Sequence, residues 1–262
     1  MKLGRRCIQI QGDLSDAASV GKLIPRLLLS LDPPVRLAAP EGSNQPLTTP
    51  TTTTTTKNGT DNTAPLMIIE QAQQAPGVPV IPNNAIHILL NNAGVQAQYP
   101  AETYPMSSFS DVLQVNLSSP FQMSRDMGAY WLGQGLNTSV GFSGGCIINV
   151  SSILGSRGGI AMPAYATSKG GLEQVTKALS NEWAAKGIRV NAIAPGGCDT
   201  KNFMATDPRA AEKAKGFLER VPARRLGTPE DFKGVVVFLA SEKASGYITG
   251  ETVVVDGGWK AL

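Results

Sequence analysis

The sequence predicts an α/β domain with a doubly wound parallel sheet, covered by helices on both faces. From residue 86 onwards, short apolar runs alternate with segments of helical periodicity. This alternation is typical of strand–helix–strand units, whose strands lie parallel in one sheet. The chain has 262 residues, which suits one large domain with a full core. We therefore interpret residues 1–262 as a single domain.

The N-terminal part begins with one predicted strand and one predicted helix. Residues 7–10 form a short apolar run that favours a strand. Ser15 suits the N-cap of a helix that follows, because its hydroxyl can accept a hydrogen bond from the first turn. Pro33 and Pro34 end this helix, since proline lacks the backbone N–H that a helix interior needs.

Residues 32–84 differ in composition from the rest of the chain. They are rich in Pro, Ser, Asn and Gly, and residues 51–56 are all threonine. Such a segment buries too little apolar surface to offset the entropy lost on ordering. We predict a disordered, low-complexity insertion, in which residues 66–74 suit a short helix.

Regular elements follow from residue 86. We predict strands at 86–90, 147–150, 190–194 and 252–255, and helices within 109–130, over 165–186 and from residue 229. Thr228 suits the N-cap of the last helix and Pro229 its first position. Ligands of parallel sheets bind beyond the carboxyl ends of the strands, so the residues after these strands are the candidates for a site.

The composition argues against several classes of protein. The net charge is +3, with 16% charged residues and no basic block, so we predict no nucleic-acid partner. Three widely spaced cysteines indicate a reducing compartment, and a single histidine argues against a His-rich metal site; we predict no metal. No apolar run approaches about 18 residues and the N-terminus lacks the apolar core of a signal peptide, so we predict no membrane contact and a cytoplasmic location.

A serine, a tyrosine and a lysine form the most distinctive chemical pattern. Ser152 follows a predicted strand, Tyr165 lies thirteen residues later, and Lys169 comes one helical turn after Tyr165. Residues four apart share one face of a helix. An ammonium beside the phenol would lower its pKa from about 10 towards the range where general acid–base catalysis is effective. The Tyr-x-x-x-Lys pair alone carries little weight, since most such pairs lie on helix surfaces, so the surrounding motifs decide its meaning.

Further motifs accompany this pattern in a fixed order. They are Asn-Asn-Ala-Gly at 91–94, Val-Asn-Leu at 115–117, Arg-Val-Asn-Ala-Ile-Ala-Pro-Gly at 189–196 and Asp-Gly-Gly-Trp at 256–259. With them, residues 83–262 and a short piece near the N-terminus resemble the short-chain dehydrogenase/reductase family. The resemblance implies a Rossmann-like fold, NAD or NADP as cofactor, and reversible hydride transfer between the nicotinamide and a secondary alcohol or ketone.

The resemblance also implies roles for individual residues. Tyr165 would be the general acid or base, Lys169 would lower its pKa and bind the nicotinamide ribose, and Ser152 would polarise the substrate oxygen. Asn116 would support a proton relay. The implied cofactor contacts are Asp13, Leu14, Asn91, Ala93, Gly94, Tyr165, Lys169, Pro195, Gly196, Cys198 and Thr200.

Shorter sequence motifs suggest a subgroup of the family. Those at 181–184, 221–227, 237–241 and 256–259 look like the sugar-acid dehydrogenases of the gluconate and 2-deoxy-gluconate type, and also like 3-oxoacyl carrier-protein reductases. The implied substrate is a small carbonyl or alcohol compound, selected by a lid helix within 201–220. The resemblance further implies a homo-oligomer, a dimer or tetramer, formed through the helices that contain Asn116 and Tyr165.

The N-terminal part departs from the family pattern. Members begin with a strand, a glycine-rich turn and a helix that together hold the pyrophosphate. Here Met1 falls just before what would be the third strand, so we expect a truncated sheet whose first two strands are absent. The strand at 7–10 would then pair directly with the strand at 86–90 or be poorly held. NAD and NADP are not distinguished, because the deciding residues belong to the absent strands.

Three interpretations remain open at this point. The chain is an enzyme whose sequence lacks its N-terminal segment, a catalytically inactive relative that acts as a binding or oligomerisation partner, or an enzyme that holds its cofactor without the glycine-rich turn.

Overall fold

The structure is a computed structural model. It describes residues 7–10, 15, 16, 18, 20, 66–70, 86–133, 144–198, 216 and 218–261. The predictions for Asp13, Leu14 and Thr200, for most of the 201–220 lid and for most of the 32–84 insertion lie outside these residues.

Six described strands form one sheet and follow one another across it in chain order. They are β1 Cys7–Ile10, β2 Leu66–Glu70, β3 Ile86–Asn91, β4 Gly145–Val150, β5 Ile188–Pro195 and β6 Thr252–Val255. The strands from β3 to β6 are parallel, whereas β2 is antiparallel to both β1 and β3. The parallel part confirms the predicted α/β class.

Helices connect the parallel strands. They are α1 Met106–Leu113, α2 Ser119–Gly133, α3 Pro163–Trp183, α4 Pro229–Ala240 and α5 Glu242–Ser245. A π-helical turn, Gln114–Ser118, joins α1 to α2 without a break. Single 3₁₀ turns lie at Ala101–Thr103, Ile153–Gly155, Ala184–Lys186 and Trp259–Ala261. The cap of α4 is as predicted, because Thr228 and Asp231 form a reciprocal capping box.

The central strands are buried on both faces, because neighbouring side chains in a strand point to opposite sides of the sheet. In β4, Ile147 packs into one apolar cluster with Trp131 of α2 and Trp183 of α3. The next residue, Ile148, packs into a second cluster against Leu239 of α4. The two clusters make the helix–sheet–helix layers that the sequence predicted.

The N-terminal strands are arranged differently from the prediction. Residues 66–70 form a strand, not part of a helix, and this strand lies between β1 and β3. β1 therefore does not pair directly with β3. A β-strand suits the apolar run Leu-Met-Ile-Ile, because the edge of β3 offers unpaired N–H and C=O groups that an extended segment can satisfy. Sheet pairing thus decides the conformation of a segment whose local sequence also fits a helix.

Candidate active site

The end of β4 turns directly onto the start of α3. Ser152 precedes the 3₁₀ turn Ile153–Gly155, and its Oγ accepts a hydrogen bond from the Leu154 N–H at 3.2 Å. Tyr165 lies in the first turn of α3, and Lys169 lies one turn further along the same helix. The strand end and the helix start therefore bring together the three residues that the sequence singled out.

These three side chains interact around the tyrosine ring. The Ser152 hydroxyl faces the Tyr165 phenol closely enough to lower its pKa. Lys169 Nζ lies 5.7 Å from the centre of the Tyr165 ring. The Lys169 side chain is buried, and its Nζ donates to the Val150 carbonyl at 2.7 Å. A phenol, a hydroxyl and an ammonium are thus held within one small volume.

The pKa of Tyr165 differs from the prediction. Burial raises it above its usual value, and the Ser152 hydroxyl opposes this rise. Burial also lowers the pKa of Lys169 to about 8. The predicted lowering of the Tyr165 pKa by Lys169 is therefore not found in the protein on its own, because desolvation disfavours the charged form of both groups.

Asn116 is fully buried in the π-helical turn and ties the loop after β3 to α3. Its Oδ1 accepts from the Val95 N–H at 2.8 Å, and its Nδ2 donates to the Val95 carbonyl at 2.8 Å. The same Nδ2 donates to Ser168 Oγ at 3.0 Å, and Ser168 Oγ donates to the Tyr165 carbonyl at 2.8 Å. Asn116 is therefore linked to the backbone of Tyr165 through Ser168, a residue that the sequence analysis missed.

The side-chain amide of Asn91 is hydrogen-bonded to other side chains in the protein interior. Its Nδ2 donates to Asn149 Oδ1 at 2.8 Å and to Ser124 Oγ at 3.1 Å. Asn149 Nδ2 continues this chain to Thr176 Oγ1 at 2.9 Å. Buried amides need such partners, so the amide nitrogen of Asn91 is engaged within the protein, and its predicted cofactor contact stays a prediction. Asn149, a polar residue within an apolar strand, was the signal in the sequence for this network.

The remaining predicted contacts surround the carboxyl ends of β3 and β5. Ala93 packs into the core, whereas Gly94 is exposed. A Cβ atom added at Gly94 would lie 3.4 Å from both Lys169 Nζ and Asn116 Oδ1, so the glycine keeps the backbone close to these groups.

The residues after β5 form a second turn at this edge. Gly196 donates its N–H to the Val255 carbonyl at 2.9 Å, and a Cβ there would lie 2.7 Å from the Cα of Asp256. Cys198 forms a single β-bridge with Gly227. Pro195 and Gly196 thus lie beside the carboxyl end of β6, and all three residues stand at or after the end of β5, as the sequence predicted.

Ser151 and Glu173 form a contact that the sequence analysis did not assign. Ser151 Oγ lies 3.0 Å from Glu173 Oε1 and 3.1 Å from the Lys169 carbonyl oxygen. Glu173 lies one helical turn after Lys169, but nothing in the sequence indicates its contact with Ser151, which lies 22 positions away.

The described residues contain neither a cluster of metal ligands nor a membrane-spanning helix. Among those residues, no three His, Cys, Asp or Glu side chains are grouped so that they could hold a metal ion. Within the same residues, every helix is too short or too polar to span a membrane.

Known proteins resemble this chain over the same region. A family model described as enoyl-(acyl carrier protein) reductase matches residues 82–260. The 2-dehydro-3-deoxy-D-gluconate 5-dehydrogenase of Pseudoalteromonas atlantica is 45% identical over 174 residues, 66% of this chain and 65% of that protein. The protein of the same name from Escherichia coli is 40% identical over 205 residues, 75% of this chain and 76% of that protein.

A solved structure agrees with these matches. The crystal structure of a gluconate 5-dehydrogenase from Burkholderia cenocepacia, in complex with NADP and tartrate, is 30% identical, with a TM-score of 0.60 over 68% of this chain and 66% of that one. The chain belongs to the short-chain dehydrogenase/reductase family. It spans about two thirds of the length of the Pseudoalteromonas and Burkholderia proteins and about three quarters of the Escherichia protein.

Proposed function

We propose that this chain catalyses the NAD- or NADP-dependent interconversion of a secondary alcohol and a ketone, with Tyr165 as general acid and base. The observation that carries the proposal is the grouping of Ser152, Tyr165 and the buried Lys169, where the end of β4 meets the start of α3. Family membership and the NADP in a related crystal structure support the cofactor.

Each side chain has a chemical task in this proposal. In the direction of reduction, the Tyr165 hydroxyl gives its proton to the ketone oxygen as that oxygen gains negative charge. Ser152 donates a hydrogen bond to the same oxygen and keeps it beside the phenol. Lys169, when charged, stabilises the phenolate that remains. When bound, the nicotinamide supplies the hydride, or accepts it in the reverse direction.

The described residues would contact the nicotinamide end of the cofactor. Tyr165 and Lys169 would hold the nicotinamide ribose, and Gly94 leaves backbone exposed beside Lys169. Pro195 and Gly196 would lie over the nicotinamide, with Cys198 and Thr200 continuing from them. Asp13, Leu14 and Asn91 remain predicted contacts to the adenine side.

The substrate class is a sugar acid. Two relatives named for 2-dehydro-3-deoxy-D-gluconate, and a related structure named for gluconate that holds tartrate, support this choice. The description of the matching family model favours a carrier-protein-linked acyl group as the second candidate. A homo-oligomer and a cytoplasmic location remain predictions from the sequence.

Replacing Tyr165 by phenylalanine tests the proposal. Tyr165→Phe removes the only proton that the phenol can transfer, so we expect turnover to fall at least about 100-fold, as for the loss of a general acid. Initial rates with NADH and NADPH should be measured on keto sugar acids and on a 3-oxoacyl substrate. Tyr104→Phe, another tyrosine of the described region, is the matched control and should keep the wild-type rate.

Two outcomes would contradict the proposal. One is a wild-type rate in Tyr165→Phe. The other is a folded wild-type chain without turnover on either substrate class, which would favour the interpretation of a catalytically inactive binding partner.

A further inference from the structure

We propose that Glu173 is a positioning residue, which holds the loop that carries Ser152 against α3 through the hydroxyl of Ser151. This inference rests on the proposed function, because it concerns the alignment of Ser152 with Tyr165. Ser151 Oγ lies 3.0 Å from Glu173 Oε1, within the range of a hydrogen bond to a carboxylate.

The loop and α3 touch where only glycine fits. A Cβ at Gly155 would lie 2.6 Å from Glu173 Oε1 and 2.9 Å from Ser151 Oγ. A Cβ at Gly170 would lie 2.8 Å from the Gly155 carbonyl oxygen. No large side chain therefore separates the loop from the helix, and polar contacts determine how the two are aligned.

Ser151 is held on two sides. Its backbone N–H donates to the Ile193 carbonyl of β5 at 2.8 Å, so the sheet fixes its main chain. Its hydroxyl carries one proton and lies within hydrogen-bond distance of two acceptors on α3, Glu173 Oε1 and the Lys169 carbonyl, so α3 holds its side chain. The next residue is Ser152, whose orientation therefore follows from that of Ser151.

Glu173 acts through other groups and not on the reacting atoms. It lies eight residues after Tyr165 on the same helix, which is about 12 Å along the helix axis. Its contacts are with Ser151, and its position beside Gly155 restrains the far end of the same short loop. Without its carboxylate, the Ser151 hydroxyl keeps only the Lys169 carbonyl as a partner among the described contacts.

Loosening this loop has a consequence at Tyr165. Ser152 from the loop and Lys169 from α3 are the polar and charged groups that face the phenol in the described structure. The Ser152 hydroxyl lowers the pKa of Tyr165 against the effect of burial. If Ser152 is held less firmly, the phenol becomes harder to ionise and a poorer acid–base catalyst near neutral pH.

The test compares Glu173→Ala and Glu173→Gln with Glu182→Ala, an exposed acidic residue on the same helix. We expect kcat to fall about tenfold in Glu173→Ala, which corresponds to the ~1.4 kcal/mol of one hydrogen bond, with little change in KM. Glu173→Gln should restore most of the rate, because its amide oxygen accepts the same bond. Glu182→Ala should match the wild type.

A second measurement does not depend on turnover. The ionisation of Tyr165 can be followed by absorbance, as the difference between each protein and the same protein carrying Tyr165→Phe. We expect this ionisation to move to higher pH, by up to about one pH unit, in Glu173→Ala but not in Glu173→Gln. Ser151→Ala should behave like Glu173→Ala, and the double variant should lose no more than either single one, since both changes remove one interaction.

Several results would overturn the inference. They are unchanged kcat and Tyr165 ionisation in Glu173→Ala, a glutamine variant as impaired as the alanine variant, or additive losses in the double variant. If Glu173→Ala does not fold, Ser151→Ala alone decides in the same assays. If the wild type shows no turnover, the proposed function fails, whereas the ionisation of Tyr165 still decides the role of Glu173.

Discussion

His87 and Lys169 are basic side chains in the protein interior, and burial lowers the pKa of both. The pKa of His87 falls from 6.5 to about 4, and that of Lys169 from 10.5 to about 8. In each case the folded state binds the proton less readily than the unfolded state does. Stability therefore rises with pH between about 4 and 6.5 for His87, and between about 8 and 10.5 for Lys169. This gain in stability is lost as the pH falls through the same two intervals.

The effect of His87 can be measured cleanly, because it is the single histidine of the chain. Relative to His87→Leu, we expect the wild type to lose on the order of 3 kcal/mol of unfolding free energy as the pH falls from 6.5 to 4. Urea unfolding at a series of pH values measures this difference, and carboxylates shared by both proteins largely cancel. Parallel stability curves, or an imidazole NMR signal that titrates near 6.5, would refute it.

Some contacts in the site follow from the spacing of residues along the sequence, whereas others depend on tertiary packing. Tyr165 and Lys169 share a helix face in any α-helix, so their proximity follows from the sequence. The contact between Ser151 and Glu173 depends on how the loop after β4 folds onto α3, which no local spacing specifies. The pKa of Tyr165 likewise depends on the depth of its burial, and the sequence alone does not give that depth.

The helices α2 and α3 approach each other at a glycine. A Cβ at Gly128 would lie 2.7 Å from the indole ring of Trp183, which is buried. We expect Gly128→Ala to lower the unfolding free energy by about 1–3 kcal/mol, the cost of overpacking a core contact. Among the described residues, none outside its own helix turn has an atom within 4 Å of a Cβ added at Gly133, at the end of α2. Gly133→Ala is therefore the matched control, and helix propensity predicts no loss there.

Chemical denaturation of the two variants checks this expectation. Equal effects of the two alanines would show that the Trp183 ring moves aside easily, and would contradict a tight contact between α2 and α3.

The elements differ in how far the sequence predicts them. Strands and helices from residue 86 onwards carry strong apolar patterns and lie within a few residues of their predicted positions. β2 was not predicted, because its conformation depends on pairing with the edge of β3, which is distant in sequence. The π-helical turn at Asn116 was also missed, since it is stabilised by the contacts of one buried amide with Val95 and Ser168.

At the scale of the whole molecule, the direction of β2 limits what the sheet offers a cofactor. In dinucleotide-binding sheets, a parallel strand leads into a turn and a helix whose N-terminus binds the pyrophosphate. β2 lies beside β3 but runs antiparallel to it, with Met67 opposite Leu90. It therefore starts, instead of ending, at the edge where Tyr165 and Lys169 lie. The strand next to β3 does not lead into a phosphate-binding turn at that edge.

Because β2 provides no phosphate-binding turn, and the proposed adenine-side contacts of Asp13 and Leu14 add only a little, we expect the cofactor to be held mainly through its nicotinamide half. We expect NADH and NADPH to bind no more than about tenfold more tightly than reduced nicotinamide mononucleotide, a difference of ~1.4 kcal/mol. Titrations that follow nicotinamide fluorescence give the three dissociation constants. Lys169→Met should weaken all three ligands by a similar factor, because the proposed function places Lys169 at their common end, while Lys177→Met on the same helix serves as the control. Dinucleotides that bind 100-fold more tightly than the mononucleotide would instead show that other residues form a site for the adenosine and its phosphates.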